Sequence, residues 1–157
     1  RSKGIQMATG DYIIHCDSDD WVDVDLYEKL YSQALRTGAD IVVCDIKNIF
    51  QTHSVVCYNP DFTLSAKDTI KKLYKKYFHL STANKLVRRS IIVDNQLLPY
   101  EGINMWEDNG LMYRVFYYAQ GLSQIRGSYY NYNRCNEGAI TFGYGKGAVN
   151  QMCTITD

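Results

Sequence analysis

Gly10-Asp11-Tyr12-Ile13-Ile14-His15-Cys16-Asp17-Ser18-Asp19-Asp20-Trp21 holds the pattern that decides the fold. Its apolar centre, Tyr12 to Cys16, lies between a glycine and a cluster of acids, as a short strand buried in a sheet does. Downstream, Asp23 is placed to cap a helix running to Gly38. Leu26, Tyr27, Leu30, Tyr31, Ala34 and Leu35 recur at helical spacing, Asp25 and Glu28 suit the positive first turn, and Gly38 is a natural stop. Ile41-Val42-Val43-Cys44 is a second β-branched run. Strand, helix and strand in that order predict a right-handed crossover between parallel strands, and so an α/β domain.

Upstream, Gln6-Met7-Ala8 reads as helix already under way before Thr9-Gly10 ends it. The expectation is a single partial domain over residues 1–157, cut inside an element. Beyond Cys44, residues 48–58 suit a hairpin. Ser65-x-x-Asp68 makes a capping box for a helix to about Phe78, with Ile70, Leu73, Tyr74, Tyr77 and Phe78 as its apolar stripe. Lys67, Lys71 and Lys75, joined by Lys72 and Lys76, give that helix a basic face, either solvated or drawn to an anionic membrane surface. Asp108 to Ala119 reads as another helix, with Leu122 to Ile125 and Tyr129 to Tyr132 as short strands. Residues 143–147, rich in glycine, read as a flexible segment.

A chain of 157 residues, 46% hydrophobic and 22% charged, suits one ordinary soluble domain. Lys plus Arg equals Asp plus Glu at 17 each, which gives no reason to expect nucleic acid as a partner. The five cysteines are scattered, with no C-x-x-C pair for zinc or redox chemistry. Cys16 and Cys44 end apolar runs and are expected as buried reduced thiols, in a cytoplasmic compartment. No apolar run reaches the roughly 18 to 20 residues of a membrane span, so membrane contact is expected only as peripheral. His15, His53 and His79 are isolated from one another and are read as core or surface residues.

Asp17, Asp19, Asp20, Asp23 and Asp25 crowd the end of the first strand. Carboxylates so close repel and raise one another's pKa unless a cation neutralises them, and a hard divalent ion with oxygen ligands does so directly. In open α/β sheets the ligand crevice lies beyond the C-terminal ends of the strands, where this cluster falls. Asp23 and Asp25 suffice as helix-start residues; Asp17, Asp19 and Asp20 exceed what a cap requires. An EF-hand loop would need Gly where Val22 stands, and a D-x-D phosphotransferase would expect Thr or Val where Trp21 sits.

The run Lys3-Gly4, Ala8-Thr9-Gly10-Asp11-Tyr12-Ile13, Asp17-Ser18-Asp19-Asp20-Trp21 resembles the family 2 glycosyltransferases, in which A-T-G-x-Y leads into a D-x-D motif. Asn84-Lys85-Leu86-Val87-Arg88-Arg89 resembles the family's N-K-L-Y-R-R segment, with Ala83 where an aromatic residue often stands. Glu101-Gly102, Trp106-Glu107-Asp108 and Tyr132-Asn133-Arg134 through Ile140-Thr141 follow in the family's order.

The resemblance implies a GT-A fold: a mixed, mainly parallel sheet flanked by helices, here lacking its first strands and nucleotide-binding turn. It implies a nucleotide-diphosphate-sugar donor, a UDP-sugar foremost, Mg2+ or Mn2+, and transfer with inversion to a glycan or lipid-linked acceptor in cell-surface polysaccharide or glycolipid synthesis at the inner face of the membrane. Asp17, with Ser18 and Arg1, is implied on the donor side, Asp19 as metal ligand and Asp108 as the base. Asp20, Asn84, Lys85, Trp106, Glu107 and Arg134 are implied at the acceptor or in support, Trp106 by stacking on a sugar. No Q-x-x-R-W motif of processive synthases follows Asp108, so one sugar per encounter is expected. The alternative is a divalent-cation or sugar-binding module without catalysis.

Overall fold

A computed structural model of the chain describes residues 1–61 and 80–136. The helix expected over residues 65–78, with its lysine face, and the segments around Ile140-Thr141 and residues 143–147 lie outside the described residues.

The elements are α1 (Ser2–Met7), β1 (Tyr12–Ile13), β2 (Trp21–Val22), α2 (Leu26–Thr37), β3 (Ile41–Ile49), β4 (Ser54–Cys57), β5 (Lys85–Arg88), α3 (Arg89–Asp94), α4 (Glu107–Tyr118) and β6 (Leu122–Asn133). The sheet is six-stranded in the order β1-β5-β3-β6-β2, with β4 also paired to β3. β5 and β4 share one edge of β3, along 41–43 and 46–49, and β6 runs beside the other edge from 41 to 49.

The sheet is mixed, as expected, but its balance differs. Only β3 and β6 pair in parallel; the other four described pairings are antiparallel. β1 and β3 run in the same direction, as the strand-helix-strand pattern predicts, yet β5 lies between them and pairs antiparallel with both.

Alternation along β3 builds the core on two faces. Ile41 and Val43 face α1, α3 and α4 through Ile5, Ile91, Ile92, Leu111, Met112, Val115 and Phe116. Val42 and Cys44 face α2 through Leu26, Leu30 and Ala34, with Leu86 and Tyr130 alongside. Each fully buried leucine here stabilises the fold by about 1.5–3 kcal/mol. The second half of the predicted α2 stripe, Tyr27, Tyr31 and Leu35, stays exposed.

Helix α2 stops where the sequence places the stop. Gly38 takes the left-handed conformation at φ 66° and its N–H bonds the Ala34 carbonyl. A Cβ at Gly38 would meet no atom within 4 Å, so Gly38→Ala tests the backbone cost alone. The expected loss is about 1 kcal/mol of unfolding free energy, read by urea denaturation; an unchanged midpoint would contradict it.

The start of α2 corrects the sequence reading. The helix begins at Leu26, and the cap residue Asp25 makes no side-chain cap bond. The Asp23 carboxylate accepts instead from the Tyr129 N–H (3.0 Å) and from Asn131 Nδ2 (2.9 Å), tying the acidic loop to β6. The two strands expected around Leu122–Ile125 and Tyr129–Tyr132 are one strand with a bulge. Val43 pairs with Gln124 but Asp45 with Tyr129, and Gly127, at φ 71°, turns the excess residues out. Cys44 is buried as expected; Cys16 is exposed, because β1 ends at Ile13 and the chain leaves the sheet before it.

Candidate active site

The site forms where the segment after β1 meets the N-terminal ends of α1 and α4. Arg1, at the N-cap of α1, gathers it. Its Nη2 bonds both carboxylate oxygens of Asp17, at 3.0 and 3.2 Å, while Nη1 donates to Glu107 Oε1 and Asp108 Oδ1. One guanidinium thus joins the D-x-D segment to the E-D pair, far apart in sequence. Burial works against the charge of Arg1, but Asp108, then Asp17 and Glu107, outweigh it and hold its pKa up. The paired side chains are 21–40% exposed, open enough to meet a ligand and dry enough for charge to count.

Asp108 is fixed from a second side. Thr82 donates its N–H to Oδ2 and its hydroxyl to Oδ1, both at 3.2 Å. Glu107 precedes it in the first turn of α4, where the helix dipole favours acids. Burial, and then the neighbouring Asp108, push the Glu107 carboxyl up, against the pull of Arg1. Trp106 stands at the N-cap of α4 at φ 61°, a conformation costing a non-glycine residue about 1–2 kcal/mol, and it is 43% exposed beside the two acids. That exposure leaves its ring available for stacking.

The acidic loop is held by β6. Tyr130 donates its hydroxyl to Asp20 Oδ2 at 2.6 Å and accepts the Asp17 N–H at 3.0 Å. Asp20 Oδ1 accepts the Asn133 N–H at 2.8 Å, so both oxygens of Asp20 are committed to the turn. Burial pushes the Asp20 carboxyl up, while Tyr130 and Asn133 draw it down. Asp20 therefore shapes the loop. Ser18 is exposed at its tip.

Asp19 is the loop's open carboxylate. Its Oδ2 accepts from Asn136 Nδ2 at 2.7 Å, and its Oδ1 accepts no hydrogen bond from the described residues. No three His, Cys, Asp or Glu side chains among the described residues stand together to hold a metal. Asp19 offers one hard carboxylate oxygen of the type that would hold Mg2+ or Mn2+.

Three expected residues lie elsewhere. Asn84 and Lys85 are fully buried behind the site. Arg134 turns away from the acids, with Nε bonded to Asn48 Oδ1 at 2.9 Å and its guanidinium over the Tyr132 ring.

The sequence reading missed His15, Thr82 and Tyr130. His15 is half-buried, and its charged neighbours are Arg1, Asp108 and Asp17; burial and then Arg1 hold its pKa down. Ser81-Thr82, two short hydroxyl residues before Asn84, are of the type that bonds nearby turns.

The observed fold agrees with solved glycosyltransferase folds. S. aureus TarS residues 1–349, in complex with UDP-GlcNAc, superposes with a TM-score of 0.75 at 16% identity, over 98% of this chain and 44% of that one. This is the expected GT-A architecture, a mixed sheet flanked by helices. Residues 1–95 match the model of Glycosyl transferase family 2, and the chain belongs to that family. Relatives include EpsH of Bacillus subtilis strain 168, 31% identical over 84% of this chain, and the cholesterol galactosyltransferase of Borreliella burgdorferi, 28% identical over 85%. The chain spans 40% and 41% of the lengths of these two curated relatives.

Proposed function

We propose that the protein moves one sugar from a nucleotide-diphosphate-sugar to an acceptor hydroxyl, with inversion at the anomeric carbon. Family membership supports glycosyl transfer, and the bound UDP-GlcNAc of TarS favours a UDP-sugar as donor. The observation that carries the reading is the Arg1 guanidinium bridging Asp17, Glu107 and Asp108, which puts a donor-side acid and a candidate base on one cation. The acceptor is a growing polysaccharide or glycolipid, reached at the inner face of the membrane; no helix among the described residues is long and apolar enough to cross it.

In this mechanism Asp108 accepts the proton of the acceptor hydroxyl as its oxygen bonds to the anomeric carbon and the bond to the nucleoside diphosphate breaks. Thr82 and Arg1 hold the carboxylate in place. Asp17, Ser18 and Arg1 bind the donor side. Asp19 would hold Mg2+ or Mn2+, which would supply positive charge near the departing diphosphate. A single displacement leaves the product with the opposite anomeric configuration.

The test is proton NMR of the product formed by the full-length protein from an α-linked UDP-sugar. A β-linked product is expected; an α-linked product would overturn the single displacement.

A further inference from the structure

Lysine carries a compact, strongly hydrated charge, and burying it is costly unless its donors are met. Lys85 is nonetheless 0% exposed at the start of β5. Its Nζ donates to the Ser81 carbonyl and to Asn84 Oδ1, each at 2.6 Å. Asn84 is buried too, and its Nδ2 donates to the Cys44 carbonyl at 2.7 Å, anchoring that end on the central strand. Ala83 N–H bonds Ser81 Oγ at 3.1 Å within the same turn. Thr82, between the two acceptors of Lys85, is the residue that holds both oxygens of Asp108.

We infer that Lys85 is a positioning residue for the base: it clamps the turn from Ser81 to Asn84, and the turn presents Thr82 to Asp108. The inference rests on the reading of Asp108 as base. A packed apolar side chain at this place would carry no desolvation cost, so the ammonium contributes geometry that a core residue would not supply. Burial pulls the Lys85 pKa down to about 7, with Cys44 from β3 and Asp108 from α4 acting the other way. The Cys44 thiol is itself pushed up to about 12 by burial.

The test uses the full-length protein as Lys85→Met, Thr82→Val and the double variant. Nucleoside diphosphate release is measured from a panel of UDP-, GDP- and dTDP-sugars, beside melting temperatures. For Lys85→Met, kcat is expected to fall about 10- to 100-fold with the donor KM within about threefold, since a small misplacement of a reacting group costs that much. The melting temperature is expected to fall, because the Ser81 carbonyl and Asn84 Oδ1 lose their donor. The double variant is no slower than the slower single, since both changes act through one carboxylate.

Activity that survives Asp108→Asn, or no turnover of any donor, overturns the base reading and the inference with it. Loss in Asp108→Asn beside a wild-type kcat in Lys85→Met, or effects that multiply in the double variant, overturns the inference alone. If Lys85→Met does not fold, Thr82→Val decides: lower kcat at unchanged donor KM supports the clamp, and wild-type kcat sinks it.

Discussion

Asp108→Asn is expected to lower kcat by about 10²- to 10⁴-fold, the range that a positioned general base contributes. Asn keeps the shape and an oxygen for the Thr82 donors, so the N-terminal turn of α4 should survive the change. Arg1 keeps Asp17 and Glu107, so the donor side retains its cation. Donor affinity should therefore change little, and the loss should lie in kcat. Steady-state kinetics with separate donor binding measure this; a variant keeping more than about a tenth of wild-type kcat would remove Asp108 from the reaction.

Arg1→Met strips three carboxylates of their common cation. Removing one partner of a partly buried ionic cluster leaves uncompensated charge worth several kcal/mol. We expect kcat/KM to fall roughly 30- to 1,000-fold, shared between donor binding and chemistry. The pH profile should move as well. Burial and Asp108 already raise the Glu107 carboxyl, and Arg1 is the group that opposes them. Without Arg1 the Glu107 carboxyl holds its proton to higher pH, so the acid limb of the rate profile shifts upward. An acid limb that stays in place, with kcat/KM within threefold, would mean the Arg1 bridge has no part in turnover.

Local pattern carried much of this fold. The α2 periodicity and Gly38, the hairpin of β3 and β4, and the acid-led start of α4 are near-neighbour features, and all stand close to where the sequence places them. Pairing between distant segments was not legible. Nothing in Lys85–Arg88 announces that it inserts between β1 and β3, and that insertion turns a parallel expectation into a mostly antiparallel sheet. The same limit governed Asp23, whose cap pattern is local but whose hydrogen-bond donors are on β6.

The candidate site divides in the same way. Asp17, Asp19, Glu107 and Asp108 are chemical types in motifs, so a sequence can propose them, and the structure brings Asp17, Glu107 and Asp108 together on Arg1. Their supports are not motifs: Thr82, the Tyr130 hydroxyl and the buried ammonium of Lys85 become visible only once packing places them. Lys85 shows the difference most plainly, since a lysine in sequence suggests an exposed contact and the structure gives it none.

The most direct measurement is the melting temperature of the full-length protein with UDP, GDP, CMP and dTDP, each with and without Mn2+, beside Asp19→Ala. A ligand bound only by the folded state stabilises it by about 2.7 kcal/mol at a hundred times its Kd. The account predicts a rise for one nucleotide that requires Mn2+ and vanishes in Asp19→Ala. A rise with Mn2+ alone that no nucleotide adds to, or a nucleotide shift that persists in Asp19→Ala, would contradict it.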